Sequence, residues 1–180
     1  MINHYITKRP RIPASVFVAE GARIVGDVEF GEDCTVWFNA VVRGDVHRIR
    51  IGNRTNIQDG AIIHCTLDRF PVDIGSGVTI AHGAIIHGCT IRDHVLVGMG
   101  AKVLDRAVVN EFSMIAAGAV VREGTVVPPR TLMAGVPAKA VRSVTDEEVE
   151  MIKKIPLNYI EYAKDYRDVN PVVITAEVPA

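Results

Sequence analysis

Along most of this chain an aliphatic or aromatic residue returns every six positions. The series runs Ile12, Val18, Ile24, Phe30, Val36 and Val42, then Ile51, Ile57 and Ile63, then Ile74 and Ile80. After a one-residue slip near Ile85 and Ile86 it continues through Ile91, Val97, Val103, Val109, Ile115, Val121, Val127 and Met133. Four positions after most of these stands a small or β-branched residue, among them Cys34, Ala40, Thr55, Ala61, Val78, Ala84, Ala101 and Ala119. A helix repeats at about 3.6 residues and a plain strand at two, so neither produces this spacing. A short strand ended by a tight turn does, with one large and one small side chain pointing inward in each hexad. Glycines in "IGNRTN", "IGSGVT" and "VGMGAK" suit the turns, because they enter conformations that other residues resist.

Hexads cannot close a core as a flat sheet. Three of them folded into a triangular coil can stack on the next coil, each edge adding a parallel strand. The pattern therefore predicts an all-β solenoid, a parallel β-helix, over residues 12–140 after an N-terminal segment 1–11. Two interruptions break the count, one of nine residues from Val42 to Ile51 and one of eleven from Ile63 to Ile74. Surplus residues on a solenoid are expected to bulge outward as loops, where function collects. Beyond the prism, residues 144–168 open with a capping-box pattern, Thr145 to Glu148, and place Val149, Ile152, Tyr159, Ile160, Ala163 and Tyr166 on one face. This predicts an amphipathic C-terminal helix, broken or kinked at Pro156, lying along the outside of the prism. The tail, 169–180, is left unassigned.

Composition narrows the function classes. With 180 residues and 48% hydrophobic content the chain fits one domain. Twenty basic residues against 21 acidic ones, with no basic block, argue against a nucleic-acid partner. No long uncharged apolar run exists to span a membrane or to form an export signal. Three cysteines are too few for a disulfide framework and fit a reducing compartment, so the cytoplasm is the expected location.

The histidines acquire meaning on the coil. His64 follows Ile63 by one position and His87 follows Ile86 by one, and both isoleucines close a three-hexad turn. The two rings should share one corner, a coil apart. His82, two after Ile80, belongs to another corner. Within one chain the three rings should not meet, but a three-fold ring of prisms would bring one chain's His82 against its neighbour's His64 and His87. A heterologous contact that closes is a cyclic trimer. Three neutral imidazoles and an open position make the donor set of a catalytic zinc site. For any one histidine, a structural or surface role is the bland alternative, and His4, His47 and His94 are read as surface residues. Cys65 and Cys89 are read as packing residues.

With "VVRGD", "NIQDGAIIH", "IAHGAIIHGCTI" and the "NY" near the C-terminus, the sequence resembles the γ-class carbonic anhydrases, a subgroup of the hexapeptide-repeat proteins. The resemblance to hexapeptide repeats covers roughly residues 12–138. It implies a left-handed β-helix, a handedness that the general crossover rule does not supply. It also implies a homotrimer whose ligands, His64, His82 and His87, come from two subunits. Gln58 would position the reacting water, Arg43, Asp45 and Asp59 would form a charged network at the subunit boundary, and Tyr159 would belong to the same site. The bland reading of Arg43 and Asp45 is a solvated turn pair, and that of Gln58 and Asp59 is ordinary outward-facing residues.

Three neutral ligands leave a dication's charge uncompensated, which lowers the pKa of bound water to about 7 and yields a hydroxide able to attack carbon dioxide and give bicarbonate. Zn2+ is the first choice of metal, and Fe2+ or Co2+ also suits an all-imidazole site. The resemblance is incomplete at proton release. Val46 follows Asp45, and Leu67 stands where an acid is expected, with Asp68 one position on. Weak or absent hydration is therefore one of the expectations. Two other classes stay open: a catalytically silent metal-binding hexapeptide protein, as an assembly subunit or of the siderophore-binding type, and an acyl-CoA-dependent acyltransferase using one histidine as base, whose ending "MAGVPAKAV" the chain shares.

Overall fold

In the computed structural model, which describes residue 5 and residues 7–168, most hexads become a short strand followed by a turn, and the strands stack on three faces. The first face carries Phe17–Val18, Thr35–Val36, Asn56–Ile57, Thr79–Ile80, Leu96–Val97, Met114–Ile115 and Thr131–Ala134, closed by an antiparallel strand Lys139–Ser143. The second and third faces share one sheet, because Arg23–Phe30 and Val41–Ile51 turn the corner between them without a break. Ile62–His64, Ile85–His87, Lys102–Val103 and Val120–Val121 extend the second face. Val72–Ile74, Thr90–Ile91, Val108–Val109 and Val126–Val127 extend the third. The result is a parallel β-solenoid of about six turns.

The inside is the column the periodicity requires. Val36, Val42, Ile57, Ile63, Ile80, Ile86, Val97 and Val103 are fully buried, and so are the small partners Ala40, Ala61, Ala84 and Ala101. Thr55 and Ser113 take small inward positions with their hydroxyls satisfied, donating to the carbonyls of Gly75 at 2.8 Å and Pro128 at 2.7 Å. The first coil departs from expectation: Ile12 and Val18 are 40% and 42% exposed. Val18 pairs with Val36 on one side only, so among the described residues no coil covers its other side.

The first interruption is not a loop. Val41–Ile51 stays in the sheet: Gly26 pairs with Gly44 and Val28 with Ile49, so residues 45–48 stand opposite Asp27 alone as a bulge. Both flanks of the surplus remain hydrogen-bonded, which is why the strand bends rather than leaving the prism. The second interruption, residues 65–71, does leave it, as a turn closed by pairing of Thr66 with Phe70. The Asp68 amide donates to the Val46 carbonyl at 3.2 Å, so the second excursion sits on the first. Both lie at the corner between the second and third faces.

The helix, α1, spans Asp146–Asp168 and continues through Pro156, which is itself buried. Its capping box is formed: Thr145 N–H donates to Glu148 at 2.9 Å, and Glu148 N–H donates to the Thr145 hydroxyl at 3.3 Å. Val149 and Ile152 pack with Val144, Leu96, Met114 and Leu132 on the last coils of the first face, and Ala163 and Tyr159 pack with Phe17, Ala19 and Trp37 on the first coils. The helix thus runs back along this face, with Arg167 donating to the Ser15 carbonyl at 2.8 Å. The tail and His4 lie outside the described residues.

Candidate metal centre

His64 and His87 are in register on adjacent strands of the second face, at its corner with the third. Nδ1 of His64 lies 3.3 Å from Nε2 of His87, and their ring centroids are 5.3 Å apart. The outer nitrogen of each ring meets a carboxylate: His64 Nε2 lies 3.0 Å from Asp45, and His87 Nδ1 lies 2.6 Å from Asp105. The row continues at both ends, since Arg43 donates to Asp45 at 2.5 Å and the Thr66 hydroxyl donates to Asp105 at 2.6 Å. Burial alone would raise the Asp45 carboxyl, but the hydrogen bonds from Arg43 and His64, with the Arg43 charge, hold it below its ordinary value. Burial lowers the His64 pKa, and the bond to Asp45 only partly offsets this, which favours the neutral ring that a metal requires.

This pair fits a metal ion. At metal–nitrogen bonds of about 2.05 Å, two ligands of a tetrahedral ion stand about 3.3 Å apart, the spacing found between the two inner nitrogens. Two ligands do not complete a site, and no group of three or more candidate metal-binding side chains gathers among the described residues. His82 sits at another corner, between the first and second faces, where Nδ1 meets Asp59 at 2.8 Å. Asp59 and His82 project from stacked turns, each followed by a glycine in the left-handed region, Gly60 at φ +65° and Gly83 at φ +66°. Asp59, Tyr159, Trp37, Phe38, Tyr162 and Tyr166 line a recess of about 370 Å³ at this second corner, and Tyr159 packs edge-on against Trp37 at 5.3 Å. Burial, then the nearby Asp59 charge, raises the Tyr159 hydroxyl.

Gln58 is buried beneath His82. Its carbonyl accepts the His82 backbone N–H at 3.2 Å, and its amide donates to Asn56 at 3.0 Å, leaving one amide hydrogen uncommitted. The predicted residues therefore fall into two groups in one chain, Arg43, Asp45, His64 and His87 at one corner and Gln58, Asp59, His82 and Tyr159 at the other. The sequence reading missed Asp105, and it singled out Asn56 within "NIQDGAIIH" without giving it a role. Asp105 follows His87 by 18 residues, one more than the 17 that separate the paired Ile86 and Val103, so the repeat alone did not mark it.

The remaining candidates have structural explanations. His47 stacks on Tyr5 with centroids 5.5 Å apart. His94, expected at the surface, is half-buried and stacks on Phe112 at 5.2 Å, its Nδ1 enclosed without a partner. Cys65 and Cys89 are free and buried, and desolvation pushes both thiols up, Cys65 to about 12, which disfavours the thiolate form of each. A groove of about 790 Å³ on the third face is lined by His94 but by none of the residues predicted for the site. Its Arg50 is already paired with Asp27 at 2.8 Å and with Glu29 at 3.1 Å.

Known proteins bear on this arrangement. No protein-family model matches the chain. It is 43% identical over 167 residues to a carbonic anhydrase of Geobacillus kaustophilus, covering 93% of this chain and 91% of that protein. It is 41% identical over 168 residues to the mitochondrial gamma carbonic anhydrase 2 of Arabidopsis thaliana, covering 91% of this chain but only 60% of the plant protein's length. Among solved structures, a hexapeptide transferase family protein from Anaplasma phagocytophilum superposes with a TM-score of 0.83 at 42% identity, over 87% of this chain and 92% of that one.

Proposed function

The chain belongs to the γ-class carbonic anhydrase family, left-handed β-helices of hexapeptide repeats, and from that premise we propose that it catalyses the reversible hydration of carbon dioxide to bicarbonate. The site is a metal centre at a homotrimer seam, with His64 and His87 from one subunit and His82 from the next. The observation that carries this is the in-register pair His64–His87, inner nitrogens 3.3 Å apart and outer nitrogens held by carboxylates. The ion, zinc foremost and ferrous iron or cobalt as substitutes, supplies the charge that brings a water molecule's pKa to about 7.

The chain's own residues do the rest. Gln58 presents its uncommitted amide hydrogen beside His82 and orients the oxygen that attacks. Arg43, 44% exposed and spending one nitrogen on Asp45, has donors left for a carboxylate across the seam or for the anionic product. Asp59 steers the His82 ring through Nδ1, and Tyr159 borders the same recess. Leu67, 55% exposed at the tip of the second excursion, cannot relay a proton, so turnover is slow and depends on buffer. Three free, buried cysteines support a reducing cytoplasm, and no helix among the described residues is long and apolar enough to cross a membrane.

The test is metal content per chain on protein purified anaerobically, paired with stopped-flow hydration. About one metal per chain, with activity lost on chelation, is expected. Bound metal without hydration after zinc, cobalt and iron reconstitution would instead identify a silent metal-binding protein. The Anaplasma neighbour, a hexapeptide transferase family protein, favours one second reading, acyl transfer, and a chain that takes up no metal would point there.

A further inference from the structure

We propose that Asp105 is a positioning residue that, with Thr66 and Gly88, fixes the His87 ring so that Nε2 presents its lone pair toward His64. The inference rests on reading the two histidines as metal ligands, and it adds what makes one of them a ligand before any ion arrives. An ionised carboxylate accepts hydrogen bonds and cannot donate them, so the nitrogen 2.6 Å from Asp105, Nδ1, carries the ring's proton. In a neutral imidazole the other nitrogen is then bare. Asp45 acts in the same sense on His64, where it claims Nε2 and leaves Nδ1 facing inward. Two lone pairs 3.3 Å apart cannot satisfy each other, and a cation between them relieves that conflict.

Asp105 is held in place from several directions. Its second oxygen takes the Thr66 hydroxyl at 2.6 Å, from the turn that the second excursion builds. The residue after it, Arg106, adopts φ +60° and donates its amide to the Gly88 carbonyl at 2.8 Å, which draws this turn against the end of the His87 strand. Gly88 has no room for a side chain: a Cβ there would stand 2.3 Å from the Asp105 carboxylate and 3.0 Å from Cβ of Phe70. The bare glycine therefore gives the carboxylate its path to Nδ1. The surplus residues of the second excursion acquire a purpose, since they deliver Thr66.

The experiment follows imidazole nitrogen shifts in metal-free protein at pH 8, with zinc affinity measured by chelator competition. Wild-type His87 is expected as the Nδ1–H tautomer. Asp105→Ala should mix the tautomers and weaken zinc binding by about 10- to 100-fold, the usual effect of losing such a partner to a ligand histidine. Asp105→Asn, which keeps an acceptor, should restore most of the tautomer preference, and Thr66→Val should give a smaller change in the same direction if Asp105→Ala fails to fold. A His87 that carries its proton on Nε2 in the wild type, or tautomer and affinity both unchanged in the variants, would overturn the proposal. Failure of the carbonic anhydrase reading looks different: tautomer and zinc affinity respond as expected while no protein hydrates carbon dioxide.

Discussion

Two individually broken variants should repair each other if the metal centre is shared between subunits. His82→Ala removes the ligand of one corner and leaves the other corner whole, and His64→Ala does the reverse. Neither should unfold the prism. The His82 side chain is 47% exposed, so its loss should stay within about 0.5 kcal/mol. The His64 side chain is 19% exposed and gives up its bond to Asp45, on the order of 1 kcal/mol, while Arg43 still holds that carboxylate. In a cyclic trimer each seam joins the His64–His87 corner of one chain to the His82 corner of the next. Mixed in equal amounts and exchanged at random, the variants should restore about one seam in four, because an intact seam needs the His82→Ala chain on one named side and the His64→Ala chain on the other. Metal content and stopped-flow hydration, measured after native mass spectrometry has verified mixed trimers, should each recover to about a quarter of wild type from near zero. Verified mixed trimers with no recovery of metal would refute the shared site.

Other perturbations probe different links. Gln58→Ala leaves the buried Asn56 side-chain oxygen, and also the His82 amide, without its partner, a cost of about 1–3 kcal/mol and several degrees of melting temperature, and should lower hydration while metal stays bound. Equal activity in the variant would remove Gln58 from the mechanism. At Asp27, burial raises the carboxyl but the Lys8 and Arg50 hydrogen bonds and charges outweigh it, so the folded pKa is depressed. That stabilisation is present above the unfolded value of about 3.9 and is lost as pH falls through the folded value. Urea denaturation should therefore find Asp27→Asn less stable than wild type by on the order of 1–2 kcal/mol at pH 6, with the difference closing below about pH 4. A gap that does not narrow in acid would contradict the assignment.

Periodicity made the architecture readable because a hexad admits few solutions. Inward positions must be large and small in turn, and Val36, Ala40, Ile57, Ala61, Ile80 and Ala84 are buried where the count places them. The phase of His64 and His87 was readable for the same reason, since equal positions in stacked coils must be neighbours. The count misled only where a position lacks a coil on both sides, as at Val18, or where surplus residues could stay hydrogen-bonded, as at residues 45–48.

The repeat spacing by itself thus determined the prism, its core and the corner on which each histidine stands, because local turn geometry and burial act through positions six apart. Tertiary structure decided the rest, because it depends on contacts that no local spacing encodes. It placed α1 along the first face, stacked both excursions at the corner of the histidine pair, and turned Asp45 and Asp105 onto the outer nitrogens of His64 and His87. A carboxylate one coil away is visible in sequence only as an aspartate. Whether its oxygen reaches an imidazole depends on a missing side chain at Gly88 and a hydroxyl from Thr66, brought together only when the coils stack.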